Sequence, residues 1–288
     1  MHAPFYDYSP ISTRPRLRLP HDKRLAVWVG LNIEHYVFGQ PAMSLAPFTA
    51  ELVPDPLNYG WRDYGPRVGV WRLMAILEEH GFRASAIVNT DVFDHYPQIV
   101  EAARERGWAF VGHGQNNSRW HVGMDRDEER QFLSGLVGAF EAATGQRPRG
   151  WLGPALTSTM NTIELLSELG FDYSLDWAND DQPYRMNVSS GRLVSVPYSS
   201  EVNDIPAFVL HHHTGEQFAR SIIDQFDVLY AEAADSLRVM GIGIHPFLVG
   251  QPFRARHFAT ALEHIAAHGD VWVATSDEIA AWYIEATG

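Results

Sequence analysis

The 288-residue chain contains no cysteine. Disulfides, thiolate nucleophiles and cysteine-based zinc sites are therefore excluded, and a reducing compartment is favoured. Basic residues are also scarce, since 22 Lys and Arg stand against 35 Asp and Glu and the formal net charge is −13. This charge balance argues against nucleic acid or an anionic membrane as the main partner.

Long apolar segments and common cofactor motifs are missing as well. The longest nearly continuous apolar stretch, residues 25–33, is far too short to span a bilayer, and residues 1–20 lack the apolar core of a signal peptide. No GxGxxG motif follows a predicted strand, which argues against a dinucleotide-binding oxidoreductase, and no GxSxG motif supports a serine nucleophile. We therefore expect a cytoplasmic protein that acts on a small molecule, with no membrane or nucleic-acid partner.

Strand and helix patterns alternate at least six times after a polar, proline-rich N-terminal arm of residues 1–23. This alternation predicts a mainly parallel sheet with helices outside it, in a single domain over residues 24–288. Periodicity alone leaves a closed barrel and an open sheet both possible. Buried strands are predicted at 24–32, 84–89, 108–114, 150–155, 171–177, 192–199, 239–247 and 270–276.

The segments between the strands carry three further predictions. One continuous helix is predicted over 91–107 and another over 157–170. Residues 36–66 contain many Pro, Gly and aromatic residues without periodicity. Because structureless loops of this length tend to be functional, this segment is predicted to form a lid or a wall of the site.

Polar residues gather at the carboxyl ends of several predicted strands. Glu34 follows the first strand, His113 follows the third, and His245 follows the apolar run VMGIGI. Catalytic groups of parallel α/β barrels lie on this rim. A single His after a strand is more often a structural hydrogen-bonding residue, but three acid–base groups would converge here. Glu34, His113 and His245 are therefore the candidate catalytic residues.

The order and spacing of several motifs resemble the polysaccharide deacetylase family, carbohydrate esterase family 4. The sequence is most similar to an intracellular branch that includes cofactor-independent allantoinases and peptidoglycan-deacetylase-like proteins. The likeness covers residues 25–284 and implies a distorted (β/α) barrel of about seven parallel strands. The motifs are GLNIEH (30–35), YGPRVGVWRLMAILEEHG (64–81), FVGHGQNNS (110–118), GWLGPA (150–155), NDDQPY (179–184), NDIPA (203–207), DQFD (224–227) and IGIHP (242–246).

Two positions depart from the metal-dependent members that the sequence resembles. The resemblance places the family's usual Asp base at Asn32 and its metal-binding Asp at Glu34. His113 matches the first His of the family's His-x-x-x-His metal motif, and Asn117 replaces the second. Asn32 cannot accept a proton, and an amide oxygen is a poorer zinc ligand than imidazole. The resemblance thus implies either no cofactor or a weakly held divalent metal, with zinc the leading candidate, on Glu34, His113 and Asn117.

The resemblance also implies a hydrolase of non-peptide carbon–nitrogen bonds. Glu34 would activate water, directly or through a metal, and His245 would protonate the leaving nitrogen. His113 and a backbone N–H near Leu152 and Gly153 would stabilise the oxyanion. The expected substrate-binding residues are Asn32, Arg67, Trp151, Leu152, Gly153, Pro154 and Asp181.

The expected substrate is a small amide, a cyclic ureide or an N-acyl compound, because the acidic chain shows no wall-binding module. An N-acetyl-sugar deacetylase is the alternative within the same class. A non-catalytic sugar- or metabolite-binding protein is the alternative of another class, because a decayed hydrolase would also lack the base and the second His. The unpatterned arm and the family resemblance predict a homo-oligomer.

Overall fold

A computed structural model describes residues 3–288 and contains, within them, one curled sheet of nine strands. Most of these strands are short, and only the first spans more than six residues. The strands are β1 (Leu25–Ile33), β2 (Ala84–Val88), β3 (Ala109–Gly112), β4 (Gly150–Trp151), β5 (Tyr173–Ser174), β6 (Tyr184–Arg185), β7 (Val194–Ser195), β8 (Val239–Ile244) and β9 (Val271–Val273).

The strand order is β6-β7-β5-β4-β3-β2-β1-β8, and β9 pairs with the start of β1. Every recorded strand pair is parallel except β6 with β7. The curl of the sheet brings the chain after β7 beside β8, where Asn203 bridges to Gly243. The Gly243 N–H donates to the Val202 carbonyl at 3.0 Å. The predicted distorted (β/α) barrel is therefore confirmed.

Helices cover the outside of the sheet. In the described part of the chain, none is long and apolar enough to cross a bilayer. The longest, α5, begins with a capping box between Asp125 and Glu128 and ends at Gly145 in the left-handed region. The helices are α1 (Pro56–Tyr64), α2 (Val70–Glu79), α3 (Asp91–His95), α4 (Pro97–Glu105), α5 (Arg126–Thr144), α6 (Thr162–Glu168), α7 (Gly215–Glu232), α8 (Pro252–Ala266) and α9 (Ser276–Thr287).

Three helix predictions need correction. The helix predicted over 91–107 breaks at Tyr96, because the residue before a proline is disfavoured in the helical region. The helix predicted over 157–170 begins only at Thr162. The segment 36–66 is not structureless throughout, because Asp55 caps the N-terminus of α1 and Pro56 takes its first turn.

The core is divided by the alternation of side chains along β1. Leu25, Val27, Val29 and Leu31 belong to the cluster shared with α2, α7 and α8. Ala26 and Trp28 belong to a second cluster, which contains residues of β5 and β7 and fills the inside of the curl. Because successive strand residues point to opposite faces, the even-numbered residues that follow along β1 also point into the barrel.

The N-terminal arm packs on the same chain over its described part. Phe5 and Tyr6 contact the Trp177 ring with centroids 5.3 and 5.4 Å away. Arg14 forms an ion pair with Asp180 at 2.6 Å. These contacts tie the arm to the segment that joins β5 to β6.

Candidate active site

The even-numbered face of β1 continues to the rim of the barrel. Asn32 and Glu34 lie on this face, followed by Tyr36, and all three line one cavity of about 350 Å³. His113 directly follows β3 and His245 directly follows β8, and both line the same cavity. The structure therefore brings together the three residues that were predicted to be catalytic, at the carboxyl ends of parallel strands.

Glu34 is a buried carboxylate surrounded by hydrogen-bond donors. Tyr36 donates its hydroxyl to Glu34 Oε2 at 2.5 Å, and the Asn117 amide donates to Oε1 at 2.5 Å. His113 Nε2 and His245 Nε2 lie 3.3 and 3.7 Å from Oε1. Burial alone would raise the pKa of Glu34, but His245, His113 and Tyr36 more than offset burial and lower it. The carboxylate is therefore held ionised.

Asp204 determines the tautomer of His245. His245 Nδ1 donates to Asp204 Oδ1 at 2.6 Å, and the His245 backbone N–H donates to Oδ2 at 2.7 Å. Burial alone would lower the pKa of His245, but the carboxylates of Asp204 and Glu34 more than offset burial and raise it. The raised pKa favours the protonated imidazole, whose Nε2 faces the cavity and Glu34.

Two glycines allow the chain behind His245 to pack closely. Gly69 ends a π-helical turn, Gly65–Gly69, that joins α1 to α2. A Cβ on Gly69 or on Gly250 would overlap the carbonyl oxygen of Pro246. Only glycine permits this approach of backbone to backbone, so the two glycines help to fix the position of the imidazole that precedes Pro246.

One peptide group links His113 to a second buried carboxylate. His113 Nδ1 donates to the Leu152 carbonyl at 2.7 Å. The Gly153 N–H of the same peptide donates to Asp176 Oδ1 at 2.6 Å. Burial raises the pKa of Asp176 to about 7. Asp176 is thus a positioning residue for His113, because it orients the peptide that accepts the imidazole proton.

The predicted backbone oxyanion site is wrong. The Leu152 N–H already donates to the Gly112 carbonyl at 2.9 Å, and the Gly153 N–H is taken by Asp176. Neither N–H is free to bind a substrate oxygen. Any oxyanion donor must therefore come from a side chain in the cavity.

Several predicted substrate-binding residues also lie outside the cavity lining. In the segment Trp151–Pro154 only Leu152 lines the cavity, followed by Ala155 and Leu156. The Trp151 side chain is fully buried and points to the opposite face from Leu152, away from the cavity. The Pro154 ring packs against Gly114, and Gly153 has no side chain to contribute.

Arg67 and Asp181, which were predicted to orient the substrate, lie outside the lining of the cavity. The Arg67 side chain is 74% exposed and pairs with Asp63 on the surface at 3.7 Å. The Asp181 carbonyl accepts the Val239 N–H, which places Asp181 at the first residue of β8. His245 follows the other end of this six-residue strand, about 20 Å away at the usual rise per residue.

Sequence reasoning missed three polar residues of the site. Asp204 orients His245, Tyr36 binds Glu34, and Tyr198 lines the cavity beside Asn32. Asp204 lies within the motif NDIPA, but the motif does not show which side chain Asp204 contacts. Tyr36 could have been predicted from its spacing of two residues from Glu34, because residues i and i+2 of an extended chain lie on the same face.

The atoms that face Glu34 do not form the expected metal site of Glu34, His113 and Asn117. Asn89 Oδ1 accepts the His35 backbone N–H at 2.9 Å, so Asn89 Nδ2 is the donor to Asn117 Oδ1 at 3.0 Å. The Asn117 oxygen therefore faces away from Glu34, and its N–H faces the carboxylate. Within residues 3–288, no group of three or more His, Asp or Glu side chains is placed to hold a metal ion.

Comparison with known proteins identifies the family of the chain. The family model for polysaccharide deacetylases matches residues 61–174. A Schizosaccharomyces pombe protein named for this family is 30% identical over 263 residues, which cover 83% of this chain and 80% of that protein.

Two solved structures share the fold along most of the chain. One, a Pseudomonas aeruginosa PAO1 protein named for the same family, has a TM-score of 0.85 and 27% identity, and the match covers 94% of this chain and 95% of that one. The other, the Puue allantoinase, has a TM-score of 0.83 and 25% identity, and the match covers 97% and 98%. The chain thus belongs to the polysaccharide deacetylase family and is a carbon–nitrogen bond hydrolase of the deacetylase type.

Proposed function

We propose that the chain hydrolyses the carbon–nitrogen bond of a small amide, cyclic ureide or N-acyl compound in the cavity at Glu34. One observation supports this most strongly. The Glu34 carboxylate and the His245 imidazole, whose pKa two carboxylates raise, face the same cavity with 3.7 Å between Glu34 Oε1 and His245 Nε2. Hydrolysis of an amide needs such a base for water and such an acid for the leaving nitrogen.

In the proposed reaction Glu34 accepts one proton from water while the water oxygen bonds to the carbonyl carbon. The carbonyl oxygen becomes an oxyanion beside His113 Nε2, and a side-chain hydrogen-bond donor of the cavity stabilises it. His245 then donates its Nε2 proton to the leaving nitrogen as the carbon–nitrogen bond breaks. The products are a carboxylic acid and an amine, or one ring-opened ureido acid from a cyclic ureide, and the proton on Glu34 returns to His245.

Asp204 and Asp176 act through the imidazoles. Asp204 holds Nδ1 of His245, so Nε2 is the nitrogen that carries the transferable proton. Asp176 holds the peptide that accepts Nδ1 of His113. Each is a positioning residue, because neither one lines the cavity.

The hydrogen bonds around Glu34 support a reaction that does not require a metal. Glu34 accepts hydrogen bonds on both oxygens, and the Asn117 oxygen is turned towards Asn89. We therefore assign water activation to the Glu34 carboxylate itself, with no step carried by zinc.

A substrate panel tests the proposal. Simple amides, cyclic ureides and N-acetyl sugars are incubated with chelator-treated protein, with and without added zinc. Released amine is measured for the amides and sugars, and the ring-opened acid for the ureides. We expect turnover of at least one small compound in the presence of the chelator. Ligand binding without turnover under every condition would instead support a non-catalytic binding protein. Turnover only of N-acetyl sugars would support the sugar deacetylase.

A further inference from the structure

The cavity in front of Glu34 has an apolar wall, and its basic side chains are the two imidazoles of His113 and His245. Among the described residues that line it, none is Lys or Arg. A carboxylate or phosphate on the substrate would therefore meet the Glu34 carboxylate with only His245 to compensate its charge, and that imidazole already lies between the carboxylates of Glu34 and Asp204. The apolar lining residues are Met43, Trp120, Leu152, Ala155, Leu156, Ile205 and Pro206.

Tyr198 presents a hydrogen-bond donor to this cavity. Its hydroxyl oxygen accepts one hydrogen bond from Asn32 Nδ2 at 3.3 Å and another from Asn203 Nδ2 at 3.2 Å. Backbone groups fix both amides, because Asn32 Nδ2 also donates to the Ile244 carbonyl and Asn203 Oδ1 accepts the Ile205 N–H. Both lone pairs of the oxygen are thus occupied. The hydroxyl hydrogen finds no acceptor within residues 3–288, and burial raises the pKa of Tyr198, so the group stays protonated.

Asn32 presents the complementary acceptor. Since its Nδ2 is engaged by Tyr198 and Ile244, its Oδ1 is left without a donor from the described chain. One O–H donor and one carbonyl acceptor therefore stand beside the Glu34 carboxylate. A single amide group has one C=O and one N–H and matches this pair. A sugar has several hydroxyls that the apolar wall would leave unsatisfied.

We propose that the substrate is an uncharged amide with an apolar substituent, whose carbonyl accepts a hydrogen bond from the Tyr198 hydroxyl. This inference rests on the proposed function and narrows it, because it disfavours sugars and ureides that carry many polar groups. When water adds to the carbonyl carbon, the Tyr198 hydroxyl stabilises the oxygen that becomes negative, in place of the occupied backbone N–H groups. The apolar substituent lies against Trp120 and Leu156 in the cavity of about 350 Å³.

A series of acyl 4-nitroanilides tests the substrate class. From acetyl to hexanoyl, kcat/KM should rise about fourfold for each added methylene until the cavity is filled. A glutaryl anilide, whose tail ends in a carboxylate, should react at least about tenfold more slowly than the pentanoyl anilide of similar length.

The outcomes of this series separate the two proposals. Equal kcat/KM at every chain length, or faster hydrolysis of N-acetylglucosamine or a cyclic ureide than of any acyl anilide, would overturn the substrate inference and leave the hydrolase proposal standing. If no compound of any class is hydrolysed, the proposed function fails and the inference fails with it.

Trp120→Ala tests the apolar wall, with Val122→Ala as a matched control. Both residues lie in the chain between β3 and α5 and are 48% and 53% exposed, but only Trp120 lines the cavity. Trp120→Ala should flatten the rise of kcat/KM with chain length, and Val122→Ala should leave it unchanged. An unaltered chain-length profile in Trp120→Ala would contradict the proposal.

Tyr198→Phe tests the donor. Loss of one oxyanion donor should lower kcat about 100- to 1,000-fold with little change in KM. Tyr184→Phe is the control, because the Tyr184 hydroxyl donates to Asn179 away from the cavity. A raised KM with unchanged kcat would overturn the role of Tyr198. If Tyr198→Phe does not fold, the Trp120→Ala series still decides the substrate inference.

Discussion

Asp204→Asn tests the link between Asp204 and the general acid His245. Asp204 Oδ2 accepts the backbone N–H of His245 at 2.7 Å and that of Val249 at 3.4 Å, while Oδ1 accepts Nδ1 of His245 at 2.6 Å. An asparagine can keep the backbone bonds only with its oxygen on that side. Its NH₂ group then faces Nδ1, so the imidazole must move its proton to Nε2 and lose the second one.

The expected loss follows from the interaction removed. A hydrogen bond to a charged group contributes about 1.5–3 kcal/mol, which corresponds to roughly 10- to 150-fold in kcat/KM. The pH dependence should change as well. The carboxylates of Asp204 and Glu34 outweigh burial and raise the pKa of His245. His245 must be protonated to act as the acid. The pH at which kcat/KM falls on the alkaline side is therefore raised in the wild type, and it should be lower in Asp204→Asn.

The assay is kcat/KM measured between about pH 5 and pH 10 on the best substrate of the panel. Asp227→Asn is a matched control, because Asp227 accepts His264 Nε2 at 2.7 Å on the surface. The control should change neither the rate nor the pH profile. An Asp204→Asn protein that folds and keeps the wild-type alkaline limb would refute the reasoning.

Three further predictions concern stability and assembly. Gly69→Ala should lower the free energy of unfolding by about 1–3 kcal/mol and reduce kcat, because its Cβ overlaps the Pro246 carbonyl. Gly138→Ala in α5, where nothing lies within 4 Å, should instead stabilise by about 0.5–1 kcal/mol; urea denaturation compares the two. Asp176, whose pKa is about 7 when folded, contributes stability at acidic pH that is lost as the pH rises to about 7. Between pH 4 and pH 8, the free energy of unfolding of Asp176→Asn should therefore rise by up to about 4 kcal/mol relative to that of the wild type. A difference between the urea midpoints of the two proteins that stays constant across this range would contradict the prediction. Light scattering after size exclusion should show a homo-oligomer, and a monomer would remove that proposal.

The parallel strands and their polar rim could be predicted from periodicity, whereas the closure into a barrel was predicted only from the family resemblance. Apolar runs that alternate with amphipathic helices predict parallel strands, and the structure confirms that Glu34, His113 and His245 each follow a strand end. Alternation along β1 is enough to place Asn32 and Glu34 on the same face. These features depend on local periodicity, which a single sequence records directly.

The hydrogen-bond partners could not be predicted in the same way. Asp204 and His245 are 41 residues apart, and their contact depends on the curl that brings the chain after β7 beside β8. The use of the Gly153 N–H by Asp176 similarly depends on the pairing of β4 with β5. Arg67 and Asp181 were misplaced because a motif gives the position of a residue along the chain but not the direction of its side chain.

The most direct test of the account is the hydrolysis rate of chelator-treated wild type beside that of Glu34→Gln, on the same small amide. If the Glu34 carboxylate itself activates water, the chelated wild type should keep its rate, and Glu34→Gln should lose at least about 100-fold in kcat. A chelated wild type that regains activity only with added metal, or a Glu34→Gln protein with near-normal turnover, would contradict the account.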